Sequence, residues 1–348
     1  MPSFRVGVII PLQGPAGIFG PSCEAVTQLA LTQLNDAGGI MGRPVEAEII
    51  DGGARPTEIA ETVRTGVRSG RLHALTGWHI SAVRQRVAPV GVGHIPYVYT
   101  SLYEGGERRP GVFCCGETPP DQIAPALRWM RDEHGTRRVY VLGDDYVWPR
   151  VTARSVRHYA DALNLTITAE QFIPLGTSDF EPVVRAIAAS SADTVLMLLV
   201  GQDAVLFNRA FAARGLHAKI RRLTPLMEEN MLLSSGAEAT RQLFVSAAYF
   251  RSLATASAME LTDAYVRMHG AGAPPLNNEA ESCYEGIRAL AALIHRGGSS
   301  DPYTMTHAAD GVGYDGPRGP MQMEGGNVRQ HVYVAQATEL DFEVLARL

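Results

Sequence analysis

The chain has 348 residues, of which 46% are hydrophobic and 19% are charged, and its formal net charge is −5 with an isoelectric point near 6.1. These values exclude an intrinsically disordered chain and a coiled coil, and they argue against a nucleic-acid-binding surface, which normally carries a basic stripe. The length fits two globular domains, and no apolar run reaches the roughly eighteen residues that a membrane-spanning helix needs.

The first third of the chain alternates short apolar strands with amphipathic helices. Asn35-Asp-Ala-Gly-Gly39 is a typical helix stop, and Pro56 with Glu58 is a typical helix start. This pattern predicts a parallel sheet with helices on both faces. The expected strands are residues 5–10, 45–50, 73–76 and 96–99, and the expected helices are 22–37, one from Pro56, and 81–90.

A second series of the same kind follows. One of its strands, Thr194-Val-Leu-Met-Leu-Leu-Val200, is continuously apolar, which is typical of a strand buried on both faces. Two such series indicate two lobes. The expected helices are 121–134, 150–163, 179–190 and 204–214, and the expected strands are 138–143, 166–173, 193–200 and 220–224.

The last third breaks this rhythm. Helices 257–269 and 278–296 come in succession, and strands 316–323 and 330–336 are expected around a Gly-Gly-Asn turn. A helical pair without an intervening strand is most easily placed as a return to the first lobe. The prediction is therefore an α/β fold with two doubly wound parallel-sheet lobes joined by multiple crossovers.

We assign residues 1–119 and 251–328 to the first lobe and residues 120–250 and 329–348 to the second, with a ligand cleft between them. In open α/β sheets, ligands bind at the carboxyl ends of the strands. The polar residues that follow the predicted strands are therefore the site to consider.

No motif for catalysis, nucleotide binding or metal binding occurs. GxxxxGK[ST], HExxH, GxSxG and paired CxxC are absent, and Gly91-Val-Gly-His-Ile-Pro96 follows a helix, which is the wrong order for a dinucleotide loop. Asp144 and Asp145 are adjacent carboxylates that could bind a metal or act as acid and base, but strand geometry separates them, and we expect one of them to cap the next helix. We therefore expect no catalytic residue, no metal and no cofactor.

The cysteines leave the cellular compartment open. Cys114 and Cys115 are adjacent in an apparent strand, so a normal disulfide between them is not expected. Cys23 and Cys283 stand near the starts of two predicted helices and could meet in the fold, although buried thiols are the expectation. The N-terminus enters a strand directly, which indicates either a removed signal peptide or a cytoplasmic protein.

Small hydroxyl, aromatic and acidic residues recur at the ends of the predicted strands. Hydroxyls and helix-start N–H groups donate to a carbonyl or carboxylate, a carboxylate accepts from an amide NH₂ or an ammonium group, and aromatic faces restrict ligand size. The predicted ligand-binding residues are His79, Ser81, Tyr99, Thr100, Ser101, Tyr146, Trp148, Gly201, Gln202 and Glu229.

The chain resembles the type I periplasmic-binding-protein superfamily over nearly its whole length. The matching stretches are Pro-Leu-Gln-Gly after the first strand, residues 35–44 and Gly316-Pro-Arg-Gly-Pro320. Residues 103–107, 115–122 and 143–150 are similar to the branch that contains the amide-sensing regulator of the aliphatic amidase operon and the urea-binding proteins of ABC transporters. This resemblance implies the type I periplasmic binding protein fold.

The resemblance also implies roles for single residues. Ser81 matches the ligand-binding serine of the family, Ser101 matches a second hydroxyl, and Tyr99 and Tyr146 match pocket tyrosines. Glu229 stands where an acidic residue of the family meets the nitrogen of the ligand. The chain departs from the amide sensor at His79, Trp148 and Leu102, and it has Ser101 where that sensor has threonine.

These expectations favour a cytoplasmic sensor of a short amide or urea-like compound. Such a sensor would act on gene expression through a separate regulator protein, with no direct nucleic-acid contact and with a homo-oligomer allowed. The alternative is the extracytoplasmic solute-binding component of an ABC importer for amides, urea or branched-chain amino acids, with an ABC permease as partner and its signal peptide removed. A hydrolase that uses Asp144, Glu229 or His79 is the third hypothesis.

Overall fold

The computed structural model describes residues 2–348, and the chain forms two compact units. Unit 1 comprises the residues up to Gly116 and Ala254–His331, and unit 2 comprises Glu117–Leu253 and Val332–Leu348. Three segments therefore connect the units, after Gly116, Leu253 and His331.

Unit 1 contains an eight-stranded sheet in the order β11-β12-β13-β5-β4-β3-β1-β2. Its first five strands in the chain pair in parallel, whereas the hairpins β11–β12 and β12–β13 are antiparallel. The strands are β1 (Phe4–Ile10), β2 (Val45–Asp51), β3 (Ala74–Gly77), β4 (Tyr97–Tyr99), β5 (Val112–Cys114), β11 (Gly313–Gly316), β12 (Gly319–Glu324) and β13 (Asn327–Arg329).

The helices of unit 1 begin and end largely where the sequence signals stand. α2 begins at Pro56, as expected, and α1 ends before Gly38 and Gly39. Gly39 has φ 73° and a Cβ there would lie 2.0 Å from the carbonyl oxygen of Arg43, so only glycine fits this turn. The helices are α1 (Gly20–Asp36), α2 (Pro56–Arg68), α3 (Ser81–Gly91), α9 (Ala256–His269), α10 (Asn278–Gly297) and α11 (Pro302–Ala308).

Unit 2 contains a seven-stranded sheet in the order β15-β14-β10-β9-β8-β6-β7. β8 is buried at all five positions, as its continuous apolar sequence predicts. The strands are β6 (Arg138–Asp144), β7 (Thr166–Ile173), β8 (Thr194–Leu198), β9 (Arg221–Thr224), β10 (Leu243–Ala247), β14 (Tyr333–Thr338) and β15 (Asp341–Arg347). The helices are α4 (Pro119–His134), α5 (Val147–Leu163), α6 (Glu181–Ala189), α7 (Gln202–Ala213) and α8 (Glu229–Ser235).

The predicted fold class is confirmed, and the tail differs in detail. The predicted strand 330–336 does not pair across the Gly-Gly-Asn turn, because β12 pairs with the short β13 there. The apolar strand that follows is β14, which joins the sheet of unit 2 by pairing antiparallel to β10 and β15. Each sheet is consequently mixed, with antiparallel strands at one edge. Among residues 2–348, no helix is long and apolar enough to span a membrane.

Candidate functional site

In unit 1, the predicted site residues follow the carboxyl ends of the neighbouring strands β3 and β4. β3 ends at Gly77, whose φ is 118° and whose Cβ position would lie 2.3 Å from the carbonyl oxygen of Ile9. Only glycine allows this close approach to β1. The chain then turns sharply, so that His79 stands in the turn and Ser81 begins α3.

Ser81 lies at the uncapped N-terminus of α3. Ile80 is the N-cap residue and provides no side-chain cap, and within residues 2–348 the backbone N–H groups of Ser81 and Ala82 have no acceptor. The hydroxyl of Ser81 is buried and makes no hydrogen bond of normal geometry, although it is close to the phenol of Tyr99. Three unsatisfied donors and the positive end of a helix therefore meet at one point, which suits a carboxylate or carbonyl oxygen.

Tyr99 and Ser101 hold the backbone of His79. The hydroxyl of Ser101 accepts from the His79 N–H (2.9 Å) and donates to the His79 carbonyl (2.8 Å), which also accepts from the Tyr99 hydroxyl (2.9 Å). These contacts fix the turn that leads into α3. The fold thus brings Ser81, Tyr99 and Ser101 together, with Ser81 carrying the unused hydroxyl.

The His79 side chain is buried and both ring nitrogens have partners. Nδ1 lies 3.1 Å from the carbonyl oxygen of Ile9, which only accepts, so Nδ1 carries the proton. Nε2 therefore accepts from the hydroxyl of Tyr97 at 2.5 Å. Burial lowers the pKa of His79 to about 3, against the opposing effect of the bond to Ile9. The geometry favours a supporting role, and direct contact of His79 with a ligand stays a prediction.

We expect the His79 ring to remain neutral from pH 5 to pH 8. Because its pKa is lowered from 6.5 to about 3, the neutral form is favoured in the folded protein, and the associated stability is lost only as the pH falls below 6.5 toward 3. In a pH series of ring ¹H–¹³C spectra, the His79 signal should not shift over this range. A His79→Gln variant assigns the signal, and a titration near 6.5 would contradict the buried geometry.

Thr100 faces away from the other predicted residues. Its hydroxyl accepts a hydrogen bond from Ser282 of α10 at 3.1 Å. Side chains of an extended segment alternate between faces, so Thr100 lies on the face opposite Tyr99 and Ser101. Its predicted ligand contact remains untested, but its hydroxyl serves the packing of α10.

Arg84 is a residue of this region that the sequence did not indicate. It is buried in α3, and its guanidinium pairs with Glu104 and Glu107 at 2.5 Å each. The guanidinium also lies over the rings of Tyr99 (5.3 Å) and Tyr103 (4.9 Å). Arg84 therefore joins α3 to the segment that carries Ser101. No local pattern identifies it, because its partners are about twenty residues distant in the chain.

In unit 2, the predicted residues also stand at strand ends. Tyr146 is the N-cap residue of α5 after β6, and its ring lies 6.2 Å from that of the buried Trp148. Gly201, with φ 53°, is the N-cap residue of α7, and Gln202 begins that helix after β8. Tyr146 and Trp148 thus present aromatic surface, and Gln202 presents its amide beside the N-terminus of α7.

The expectation that Asp144 or Asp145 caps the next helix was wrong. Asp145 is exposed and pairs with Arg150 (2.5 Å), while Asp144 is buried and accepts from the N–H of Val200 (2.8 Å). Burial and the neighbouring Asp203 raise the pKa of Asp144 well above its usual value. The protonated form of Asp144 is therefore favoured beside Asp203, because two adjacent charges in a buried site are unfavourable.

Glu229 begins α8 and is buried. Its Oε1 accepts from the backbone N–H of Arg251 at 2.8 Å, so it holds the segment that follows β10. Burial raises the pKa of Glu229 to about 7, against the lowering effect of that hydrogen bond. Its predicted contact with a ligand nitrogen is untested.

Within residues 2–348, no three His, Cys, Asp or Glu side chains converge on a position for a metal ion. All four cysteines are buried thiols, so Cys23 and Cys283 are not bonded to each other. Burial raises the pKa of Cys114 to about 12, which leaves it protonated and unreactive near neutral pH.

The family comparison and a curated relative both identify binding proteins of the same kind. A family model described as periplasmic binding protein matches residues 3–341. Leu/Ile/Val-binding protein homolog 6 of Brucella suis biovar 1 (strain 1330) is 24% identical over 351 residues, which cover 97% of this chain and 88% of that protein.

Solved structures show the same fold. A solute-binding protein of an ABC transporter from Rhodopseudomonas palustris HaA2, in complex with p-hydroxybenzoic acid, has a TM-score of 0.90 at 20% identity and covers 99% of this chain and 97% of that one. The branched-chain amino acid transporter substrate-binding protein LivJ from Streptococcus pneumoniae, in complex with isoleucine, has a TM-score of 0.85 at 16% identity, with 99% and 98% covered. None of these three relatives is described as an amide sensor.

Proposed function

We propose, from the premise that this chain belongs to the periplasmic-binding-protein family, that it is the solute-binding component of an ABC importer and binds a small carboxylate. The observation that carries this proposal is the N-terminus of α3, where the Ser81 hydroxyl and the N–H groups of Ser81 and Ala82 lack acceptors. In this proposal the protein is a non-catalytic binder that acts outside the cytoplasm, and its partner is an ABC permease.

A carboxylate fits these donors better than a neutral amide does. Each of its two oxygens accepts hydrogen bonds, and its charge is stabilised by the positive end of the helix. Both p-hydroxybenzoic acid and isoleucine, which the relatives bind, carry a carboxyl group. An amide has one such acceptor, and its NH₂ group would face donors.

The predicted site residues of unit 2 offer different groups to a ligand. Tyr146 and Trp148 offer aromatic surface, and Gly201 and Gln202 offer backbone and amide groups at the start of α7. A ligand that binds one conformation of the protein more tightly than another stabilises that conformation by its differential affinity. A shift from 1:99 to 99:1 requires about 5.5 kcal/mol of such a difference.

A thermal-shift screen with matched ligands tests this proposal. The ligands are benzoate against benzamide, 4-hydroxybenzoate, isoleucine, acetamide and urea. A ligand present at 100 times its Kd should add about 2.7 kcal/mol to the free energy of unfolding. We expect stabilisation by a carboxylate and little by its amide.

The rival is the cytoplasmic amide sensor that acts through a regulator protein. The similarity of residues 103–107, 115–122 and 143–150 to the amide-sensing branch supports it. Stabilisation by acetamide or urea, without stabilisation by any carboxylate, would establish the rival and remove the carboxylate proposal. Turnover of acetamide or urea by the pure protein would instead support the hydrolase hypothesis.

The variant Ser81→Ala tests the carboxylate position directly. We expect affinity for the bound carboxylate to fall by about 1.5–3 kcal/mol, because a hydrogen bond to a charged group is lost. The fall should appear in calorimetric titration without a comparable loss of stability, since the Ser81 hydroxyl has no internal partner of normal geometry. Ser69→Ala, at the exposed end of α2, is the control. Unchanged affinity in Ser81→Ala would remove this residue from the site.

A further inference from the structure

The three segments that leave unit 1 are all linked to one turn of that unit, two of them directly and the third through the side chain of Gln330. They leave after Gly116, before Ala254 and after His331. The turn is Gly316–Gly319, which joins β11 to β12. This stretch is one of those that carry the family resemblance in the sequence, and the ligand-binding proposal assigns it no role.

Arg318, at the centre of the turn, is completely buried and links two of the three segments. Its Nη1 donates to the side-chain oxygen of Gln330 at 3.0 Å, and Nε2 of Gln330 donates to the carbonyl oxygen of Cys115 at 2.8 Å. Gln330 and Cys115 each stand one residue from the end of unit 1. The side-chain amide of Gln330 therefore links two of the three segments at the points where they leave unit 1.

The third segment is held by the neighbouring residue of the turn. The hydroxyl of Thr255 donates to the carbonyl oxygen of Pro317 at 3.2 Å, and Thr255 also caps α9 by accepting from the N–H of Ala258. Gly319, with φ 104°, lies against His331, because a Cβ there would be 3.0 Å from His331 Nδ1. Residues 317–319 thus contact the segments before Ala254 and after His331 directly, and they reach the segment after Gly116 through Gln330.

The turn is fixed in its place by α10. Nε of Arg318 pairs with Glu281, and neither side chain is exposed. A buried ion pair is weak evidence for stability, since apolar residues of the same volume are often equally or more stabilising. Its geometry, however, defines one position for the guanidinium and hence for Gln330.

We propose that Arg318 is a positioning residue that fixes the unit 1 ends of the three connecting segments, so that ligand-linked movement bends the chain only beyond them. This inference rests on the proposed function, because it concerns the movement that ligand binding would bias. The contacts of Arg318, Gln330 and Thr255, which we call the anchor, exist in the protein without ligand, and they are tested in that state.

Hydrogen exchange measured by mass spectrometry on the full ligand-free chain tests the anchor through Gln330. Gln330→Ala removes both links, so exchange should rise about tenfold or more in peptides spanning 115–117 and 330–332, while the strands of unit 1 stay protected. Gln330→Glu still accepts from Arg318 but cannot donate to the Cys115 carbonyl, so only 115–117 should loosen. Thr255→Val should loosen 253–255 together with the first turn of α9, which loses its cap, and should leave 115–117 and 330–332 unchanged.

Arg222→Lys is the matched control. Arg222 is equally buried, but it lies in unit 2 and bonds to Asn208 and to the carbonyl of Ala239 at 2.6 Å each. It should lower the melting temperature without changing exchange in the three segments, whereas Arg318→Lys should change them all. Unchanged exchange in the Gln330 and Arg318 variants, or uniform loosening of unit 1, would overturn the proposal. The ligand screen fails or succeeds independently of this result.

Discussion

Replacing Arg84 by methionine should lower the free energy of unfolding by about 3–5 kcal/mol, which is the usual cost of removing one partner from a buried ion pair. The guanidinium is almost fully buried, as are the carboxylates of Glu104 and Glu107 that it contacts. Arg109 remains beside Glu107 in the variant, but Glu104 loses its cationic partner. The cation–π contacts with Tyr99 and Tyr103 are lost as well. Urea unfolding followed by circular dichroism measures the effect.

The same helix supplies the control. Arg86 is exposed on α3, and its replacement by methionine should change the stability by less than about 0.5 kcal/mol. Adding Glu104→Gln to Arg84→Met removes the uncompensated charge, so the double variant should recover part of the loss. If Arg84→Met were as stable as Arg86→Met, the buried network would not be the element that fixes α3 to the segment after β4.

Sequence periodicity was sufficient for the alternation of strands and helices but not for the membership of each strand. The apolar segment after the Gly-Gly-Asn turn was predicted correctly as a strand, yet it pairs with β10 of unit 2. Alternating hydrophobicity reports that one face is buried and does not name the sheet that buries it. Pairing is decided by contacts between residues distant in the chain, here Phe244 with Gln336.

The rule that open α/β sheets bind ligands at the carboxyl ends of their strands was sufficient to predict that Ser81, Tyr99 and Ser101 lie close together, because β3 and β4 are parallel neighbours. The rule did not distinguish hydroxyl groups that already have a partner within the protein from those that are free to bind a ligand. The hydroxyl of Ser101 is engaged by His79, and that of Thr100 by Ser282. The alternation of an extended chain already places Thr100 on the opposite face, whereas the engagement of Ser101 follows from the tight turn at Gly77.

Glu229→Gln should change the pH dependence of stability. The pKa of Glu229 is raised from 4.5 to about 7 by burial, so the folded protein favours the protonated carboxyl group. The associated stability is fully present below pH 4.5 and is lost as the pH rises to 7, which amounts to about 3 kcal/mol. Glutamine has the same shape, still accepts from the N–H of Arg251 and does not ionise. The variant should therefore lack this loss between pH 4.5 and pH 8 in urea unfolding.

The control for this change is Glu133→Gln, an exposed residue of α4, which should follow the wild-type pH profile. An identical profile in Glu229→Gln and wild type would show that Glu229 does not titrate in this range.

The same variant distinguishes two classes of carboxylate ligand. If the natural ligand is an amino acid and Glu229 meets its ammonium group, as the family resemblance implies, Glu229→Gln should abolish isoleucine binding in calorimetric titration. A carboxylate without an ammonium group, such as 4-hydroxybenzoate, makes no such demand, so its affinity should fall only slightly. Because the proposed function places the carboxylate of either ligand at Ser81, Ser81→Ala should weaken both ligands while Glu229→Gln weakens one. Equal weakening of both ligands by Glu229→Gln would instead mean that Glu229 acts only by holding the segment at Arg251.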